Sequence, residues 1–309
     1  MTSILITGGA GMVGRALTET LPTNDLVMTD LARGTLPDAV RFRRMDVTGA
    51  DPETVIAEER PDVVVHLASI VTPLPGMSRE QARQVDVTGT ANVLAACIKH
   101  GVRRLVVTSS GAAYGYHADN PVPLTEDAPC RGNPAFAYAD HKRQVEEMLA
   151  RARQDHPELE QVILRVGTVL GAGVDNQITA LFRRKRLLAI HGSDSPFVFI
   201  WTRDLARIAA RAATDGPAGI FNVAGDGWLS VDALAQALGK PVLRVPAWAL
   251  KAALAVAYPL RLSRYGPEQV RFLQYRPVLS NERLKQVFGY TPELTSAEVF
   301  DLWRREAGL

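Results

Sequence analysis

Tyr138 and Lys142, the ends of the stretch YADHK, are the residues of this sequence best suited to moving a proton. In a helix, positions i and i+4 project from one face, so phenol and ammonium would stand side by side. A phenol with a pKa of about 10 is a poor base at neutral pH, and a neighbouring ammonium favours its phenolate. Such a pair can take a proton from a hydroxyl or return it in the reverse direction. The same spacing occurs on ordinary helix surfaces. What the rest of the chain builds around it therefore decides its meaning.

A second feature lies near the N-terminus. The turn TGGAGMVG spaces Gly8, Gly11 and Gly14 evenly between the strand SILIT (3–7) and the helical GRALTETL, and Gly9, Gly11 and Gly14 also satisfy G-x-G-x-x-G. Glycines here allow a tight turn, close approach of backbone to a pyrophosphate, and close helix–strand packing. The helix N-terminus that follows, with Met12 and Val13 just ahead of it, offers free N–H groups and a partial positive charge to phosphates. Asp30 ends the second strand, DLVMTD (25–30), where a carboxylate accepts hydrogen bonds from both hydroxyls of an adenosine ribose. It would repel a 2′-phosphate, so NAD is expected over NADP, with Arg33 partly offsetting that preference. Asp46 and Val47 end the third strand and would hold the adenine amino group and ring face, unless Asp46 is simply a solvated loop residue.

These residues need a scaffold. Short β-branched runs alternate with helical patterns through the first two-thirds of the chain: after the first two strands come VRFRRMDV (40–47), DVVVHLAS (62–69), RRLVVTSS (103–110) and QVILRVG (161–167). Continuous apolar strands of this kind are buried on both faces of a parallel sheet. Between them, DPETVIAEE reads as a helix with Asp51 at its N-cap, and a long helix is predicted from Ser78 to His100, ended by Gly101. The rhythm predicts an α/β fold, a Rossmann-type doubly wound parallel sheet. Beyond residue 172 it loosens. FNVAG (221–225) and PVLRVP (241–246) still read as short strands, separated by a helix opened by Ser230, in a smaller mixed C-terminal lobe. The expected division is a dinucleotide-binding and catalytic domain over 1–172 and an interleaved substrate-binding lobe over 173–309.

Composition narrows the partners. With 47% apolar and 22% charged residues, the 309-residue chain can bury a sizeable core, and a net charge of +2 gives no global field for nucleic acid. The two cysteines, Cys97 and Cys130, have neither metal-like nor disulfide-framework spacing and suit a reducing cytoplasm. No secretory leader is expected from MTSILITGGAG. The apolar stretch at 245–260 contains Lys251, ends against Pro259, and is shorter than the roughly 20 residues that span a bilayer. It is expected to cover substrate rather than to meet a membrane.

The motifs TGGAGMVG, DV at 46–47, HLAS at 66–69, DVTGTANVL at 86–94, VTSSGAAYG at 107–115 and YADHK stand in the order and spacing of one family. The chain resembles the extended short-chain dehydrogenase/reductases, in their NAD-dependent epimerase/dehydratase branch. The resemblance is strong over residues 3–172 and holds only in outline beyond. It implies that Ser110, rather than Ser109 or Thr108, is the catalytic hydroxyl that binds and polarises the reacting oxygen. It also implies that Tyr138 moves the proton while Lys142 tunes it and holds the nicotinamide ribose. Leu67, Ala68, Ser69 and Thr108 would border the cofactor, Gly167 and Val169 the nicotinamide carboxamide, and Thr168 the substrate, while Tyr114 suits the lining of the substrate pocket and the core equally. Relatives pair the helix over 78–100 with the Tyr138 helix in a homodimer, and the alanines at 91, 95 and 96 would permit that packing or equally suit a core face.

The sequence also departs from the family's pattern. Thr168 stands where nucleotide-sugar members commonly carry asparagine, Phe197 where they place an arginine, and Trp201 where a histidine is usual. The pocket, with Trp201 as a substrate contact, is then more apolar, unless Arg203 or the run Arg183, Arg184, Lys185 and Arg186 compensates. Asp86 replaces a frequent asparagine. SSGAAYG lacks the Asp–Glu dipeptide that dehydration requires. The expected activity is NAD-linked hydride transfer at a secondary alcohol or ketone carbon of a sugar, nucleotide sugar or sugar-like substrate. A dehydrogenase or reductase for a steroid-like or aryl substrate is the second reading, and a non-catalytic dinucleotide sensor the third.

Overall fold

The computed structural model describes residues 2–74, 76–263 and 265–309. Its strands, in chain order, are β1 (Ile4–Thr7), β2 (Leu26–Asp30), β3 (Arg41–Arg44), β4 (Val63–His66), β5 (Arg104–Ser110), β6 (Glu160–Val166), β7 (Thr168–Leu170), β8 (Leu187–Ile190), β9 (Phe199–Trp201), β10 (Gly219–Val223) and β11 (Val242–Val245). Seven of them form one sheet in the order β10-β6-β5-β4-β1-β2-β3, every pair parallel. The apolar runs dictate this: β1 and β4 are buried at every position, as strands covered on both faces must be. One core face gathers Ile4, Ile6, Met28, Val65 and Val106, the other Leu5, Val64, Leu105, Val107 and Ile163, the alternation of side chains across the pleat.

The chain reverses its winding between β1 and β4, which lie side by side although separated in sequence. A crevice opens at the carboxyl ends of the strands at such a switch point, and ligands bind there in open α/β sheets. The glycine turn, the loop after β4 and the ends of β5 and β6 all reach that crevice.

The expected long helix is present with an interruption. Ser78 caps it through a capping box with Gln81, and α-helix runs over Arg79–Arg83 and again over Gly89–Lys99, with a π-helical turn at Gln84–Thr88 between them. Gly101 terminates it at φ +66°. In the helix Asp51–Glu59 the cap position falls to Ala50, while the Asp51 carboxylate accepts from the Asp46 amide at 2.9 Å. The helix Ala137–Asp155 carries the YADHK stretch at its first turns.

The division at residue 172 is crossed by the chain. β10, expected in the smaller lobe, pairs with β6 and forms the edge of the main sheet, and the preceding helix Thr202–Ala213 packs on the helix that follows the glycine turn. The rest of the C-terminal region builds two small parallel pairs, β7 with β9 and β8 with β11, around a core of Phe182, Phe197, Phe199, Phe300 and Trp303. Among the described residues no helix is long and apolar enough to cross a membrane.

Candidate active site

Between the sheet's carboxyl edge and the C-terminal lobe lies a cleft of about 1530 Å³. Its floor begins at the glycine turn. Gly8 sits at φ +67°, a conformation suited to glycine, and a Cβ there would lie 2.7 Å from the Ala68 amide nitrogen. At Gly14 a Cβ would stand 2.3 Å from the Gly9 carbonyl oxygen. These contacts let strand, turn and helix close on one another and leave Gly8, Gly11, Met12 and Val13 facing the cleft. Gly14→Ala is expected to weaken NAD binding at least tenfold, about 1.4 kcal/mol, as titration calorimetry would measure.

Asp30 reaches back to this turn, accepting from the Ala10 amide at 3.1 Å and the Leu31 amide at 2.8 Å. The Arg33 guanidinium donates to the carbonyls of Pro37 and Val40 and lies over the Phe42 ring. Asp46 accepts from the amide and hydroxyl of Thr48, which hold its carboxyl below the usual range. Val47 is buried against Gly89, where a Cβ would come within 2.7 Å of its methyl. Leu67 and Ser69 line the cleft, whereas Asp30, Asp46, Val47 and Ala68 lie outside its lining.

The candidate catalytic groups meet on the adjoining wall. Ser110, Tyr138 and Lys142 all line the cleft, as does Thr108. Lys142 is buried and donates to the Thr108 carbonyl at 3.0 Å, with its ammonium 5.7 Å from the centre of the Tyr138 ring. Ser110 accepts from the Ala112 amide at 3.1 Å, which fixes its hydroxyl at the end of β5. Gly167, Thr168 and Val169 complete the wall, but the amides of Gly167 and Thr168 are already committed to the carbonyls of Val223 and Val198.

Two expected substrate residues are elsewhere. Tyr114 is fully buried behind the site, its hydroxyl donating to Asn222 at 2.8 Å and accepting from Arg165 at 2.9 Å; its hydrogen bonds bind it into the core. Trp201 packs on the lobe's aromatic core beneath Arg203, whose guanidinium lies 5.2 Å from its ring, and neither residue lines the cleft. The run from Arg183 to Arg186 is exposed outside the cleft, with Arg183 over Trp303. The apolar helix Ala247–Ala257 contributes Leu250 and Leu254 to the cleft and leaves Trp248 and Val256 exposed on its outer side.

Several buried polar groups behind the site lie beyond sequence reasoning. The π turn puts Asp86 in the interior, where its carboxylate accepts from the Ser69 hydroxyl and Ile70 amide, both at 2.8 Å, and meets His141 Nδ1 at 3.0 Å. Burial opposes ionisation of Asp86, but these hydrogen bonds and the Lys142 ammonium hold its carboxyl below the usual range. The Tyr138 helix is thereby fastened to the loop after β4. Position Asp86 was visible in the sequence only as a departure; the π turn that directs it inward leaves no periodic signal.

Beside it, His66 is buried between Thr7 and Thr90, at 2.7 and 3.0 Å. Thr90 donates its own proton to the Asp86 carbonyl, so it accepts from His66 Nε2–H, and Nδ1 accepts from Thr7. Burial first, then the Lys142 charge, pushes the His66 pKa down to about 3. A folded-state value below the unfolded one favours the folded chain above pH 6.5, and that stability is lost as pH falls toward 3. Urea titrations are expected to show a loss of about 1.4 kcal/mol per pH unit between pH 6 and 5, and His66→Gln to flatten that slope.

A model of the NAD dependent epimerase/dehydratase family matches residues 4–224. The chain belongs to that family. Its NAD-dependent activity makes NAD the cofactor, and this structure fits it: the cradle at Gly8 and Gly14 is one that any Cβ would fill, and Asp30 braces it. Among relatives, an uncharacterised protein of Mycobacterium tuberculosis is 28% identical over 320 residues, covering 99% of this chain and 84% of its own. The UDP-glucose 4-epimerase of Azospirillum brasilense is 33% identical over 216 residues, 62% of this chain and 60% of that protein. A crystal structure of UDP-glucose 4-epimerase from Thermotoga maritima with UDP-glucose superposes with a TM-score of 0.76 at 20% identity, covering 99% of this chain and 98% of the other. At that identity the likeness concerns the fold. The family's sheet, glycine turn and YADHK helix are thus present, and the chain is an enzyme of the short-chain dehydrogenase/reductase type.

Proposed function

We propose that the cleft carries out NAD-linked oxidoreduction at a secondary alcohol or ketone carbon of a sugar, nucleotide-sugar or sugar-like substrate. The observation that carries this reading is the meeting of Ser110, Tyr138 and Lys142 on one wall beside the glycine turn. Bound NAD supplies the hydride acceptor. Ser110 holds the substrate oxygen, and Tyr138 takes the hydroxyl proton as the carbon–hydrogen bond breaks. Lys142, anchored on the Thr108 carbonyl, keeps a positive charge beside the phenol and donates to the nicotinamide ribose. Gly8, Gly11, Met12 and Val13 bind the pyrophosphate, Asp30 the adenosine ribose, Asp46 and Val47 the adenine, and Leu67, Ala68, Ser69, Thr108, Gly167 and Val169 border the cofactor. Thr168 and Ser110 contact substrate. Residues 1–172 provide cofactor and catalytic groups, and 173–309 the interleaved substrate lobe.

A second reading, a dehydrogenase for an apolar alcohol, is favoured by the Leu250, Leu254 and Phe272 surfaces on the lobe side of the cleft. The two readings separate on incubation of the purified protein with NAD and a panel of alcohols. An epimerase keeps its NAD bound and releases no NADH; a dehydrogenase accumulates NADH. Absence of both turnover and cofactor reduction across sugar and apolar panels would leave dinucleotide sensing. We further place the protein in the cytoplasm as a homodimer through the helices at 79–99 and 137–155. Ala95 is exposed and Ala91 half-buried on the first of these, whereas Ala96 faces the core. Sedimentation of a dimer that Ala95→Arg dissociates is the expected result.

A further inference from the structure

The family arginine replaced by Phe197 has a successor from a distant part of the chain. Arg276 places its guanidinium 3.8 Å from the centre of the Phe197 ring and 4.8 Å from that of Phe272, so it is held between two aromatic faces. It lines the cleft yet is only 9% exposed. Its Nη1 donates to the carbonyl and hydroxyl of Ser195, the latter at 3.1 Å. Nε has no partner, Nη2 makes no hydrogen bond among the described residues, and no carboxylate there forms an ion pair with the side chain. Buried cations are ordinarily paired, because desolvation without a counter-charge is costly. Burial accordingly pushes the Arg276 pKa down to about 9.

Resting on the reading of this cleft as the substrate pocket, we propose that Arg276 is a specificity-determining residue that pairs with a single carboxylate carried on an otherwise apolar substrate. The Nε–Nη2 edge of a guanidinium presents two parallel donors, the geometry that a carboxylate accepts. Charge count favours one negative group over a diphosphate. The other cations of the cleft lie on the sheet side and are engaged: Arg15 with the Ala10 carbonyl, Arg79 with Asp140, Lys142 with Thr108. Arg276 is the only cation on the lobe side among the described residues, and Asp175 and Glu268 on that side oppose a second negative charge. The surfaces around it are apolar, from Tyr116, Phe136 and Phe272 to Leu250, Leu254 and Leu273.

The test uses the full chain with NAD and a set of carboxylates of increasing bulk (4-phenylbutyrate, decanoate, lithocholate), each paired with its methyl ester, and UDP as a separate probe. Calorimetry is expected to show at least one acid bound roughly tenfold more tightly than its ester, a ratio that Arg276→Met abolishes and Arg276→Lys only partly restores. NAD affinity and melting temperature report whether each variant is folded. Should Arg276→Met not fold, Arg276→Gln, which keeps a polar head without the charge, takes its place with the same expected loss of the acid preference. The proposal is overturned if no acid is preferred to its ester, if the preference survives Arg276→Met, or if UDP binds and Arg276→Met abolishes that binding instead. Arg276-dependent acid binding without any alcohol oxidation would contradict the redox reading alone, and oxidation without acid preference would contradict this inference alone.

Discussion

Tyr138→Phe is expected to lower turnover about a thousandfold, roughly 4 kcal/mol of barrier, while NAD affinity changes by no more than about threefold. The substitution removes one hydroxyl from a half-buried ring and leaves the ring's packing intact. Lys142 keeps its bond to the Thr108 carbonyl, and the Asp86–His141 contact still fastens the helix, so the glycine cradle is untouched. What is lost is the group that exchanges a proton with the substrate oxygen. The comparison needs steady-state turnover and NAD titration on the same preparations. A variant that keeps a tenth or more of the activity would remove Tyr138 from the mechanism. Loss of NAD binding in parallel would make its role structural.

The largest expected effect on stability lies one layer behind. Arg165, on β6, is buried and donates to both carboxylate oxygens of Glu146, at 2.9 and 3.0 Å, and to the Tyr114 hydroxyl and Glu126 carbonyl, both at 2.9 Å. Burial works against its charge, but the Glu146 carboxylate outweighs that and holds the guanidinium more firmly protonated than usual. Glu146 belongs to the helix of Tyr138, so this pair ties the catalytic helix to the sheet. Arg165→Leu leaves a buried carboxylate and the Glu126 carbonyl unanswered, and is expected to cost about 3–5 kcal/mol in urea unfolding. The double variant Arg165→Leu with Glu146→Leu should recover part of that loss. Equal instability of single and double variants would show that the pair is not the source.

The sheet and the glycine turn were legible in the sequence because their signals are local. β-branched runs such as VVVH are buried on both faces by composition alone, and the spacing of Gly8, Gly11 and Gly14 is itself the geometry of the turn. The YADHK pair was legible for the same reason, being one helical turn long. What could not be read depends on contacts between distant segments. Tyr114 looked equally suited to pocket or core, and only the partners on β6 and β10, Arg165 and Asn222, bring it into the core. Asp86 is turned inward by a π turn that no hydrophobic period marks. The same holds for β10, whose short apolar run carries no sign that it would join the main sheet beside β6. Phe197 showed a missing arginine, while the guanidinium that packs on its ring comes from far along the chain, at Arg276.

The central claim is that a carbon–hydrogen bond of a secondary alcohol breaks in this cleft with Tyr138 as the proton acceptor. The most direct measurement is deuterium transfer. The protein with NAD is mixed with secondary alcohols deuterated at the carbinol carbon, UDP-glucose and hydroxysteroids among them, and the recovered cofactor and product are analysed by mass spectrometry. The predicted result with the unmodified protein is deuterium on the nicotinamide ring of released NADH, or, where the hydride returns to substrate, deuterium kept at the carbinol carbon of the epimerised product, and neither with Tyr138→Phe. Deuterium lost to solvent while a substrate is converted, or transfer that persists in Tyr138→Phe, would contradict it.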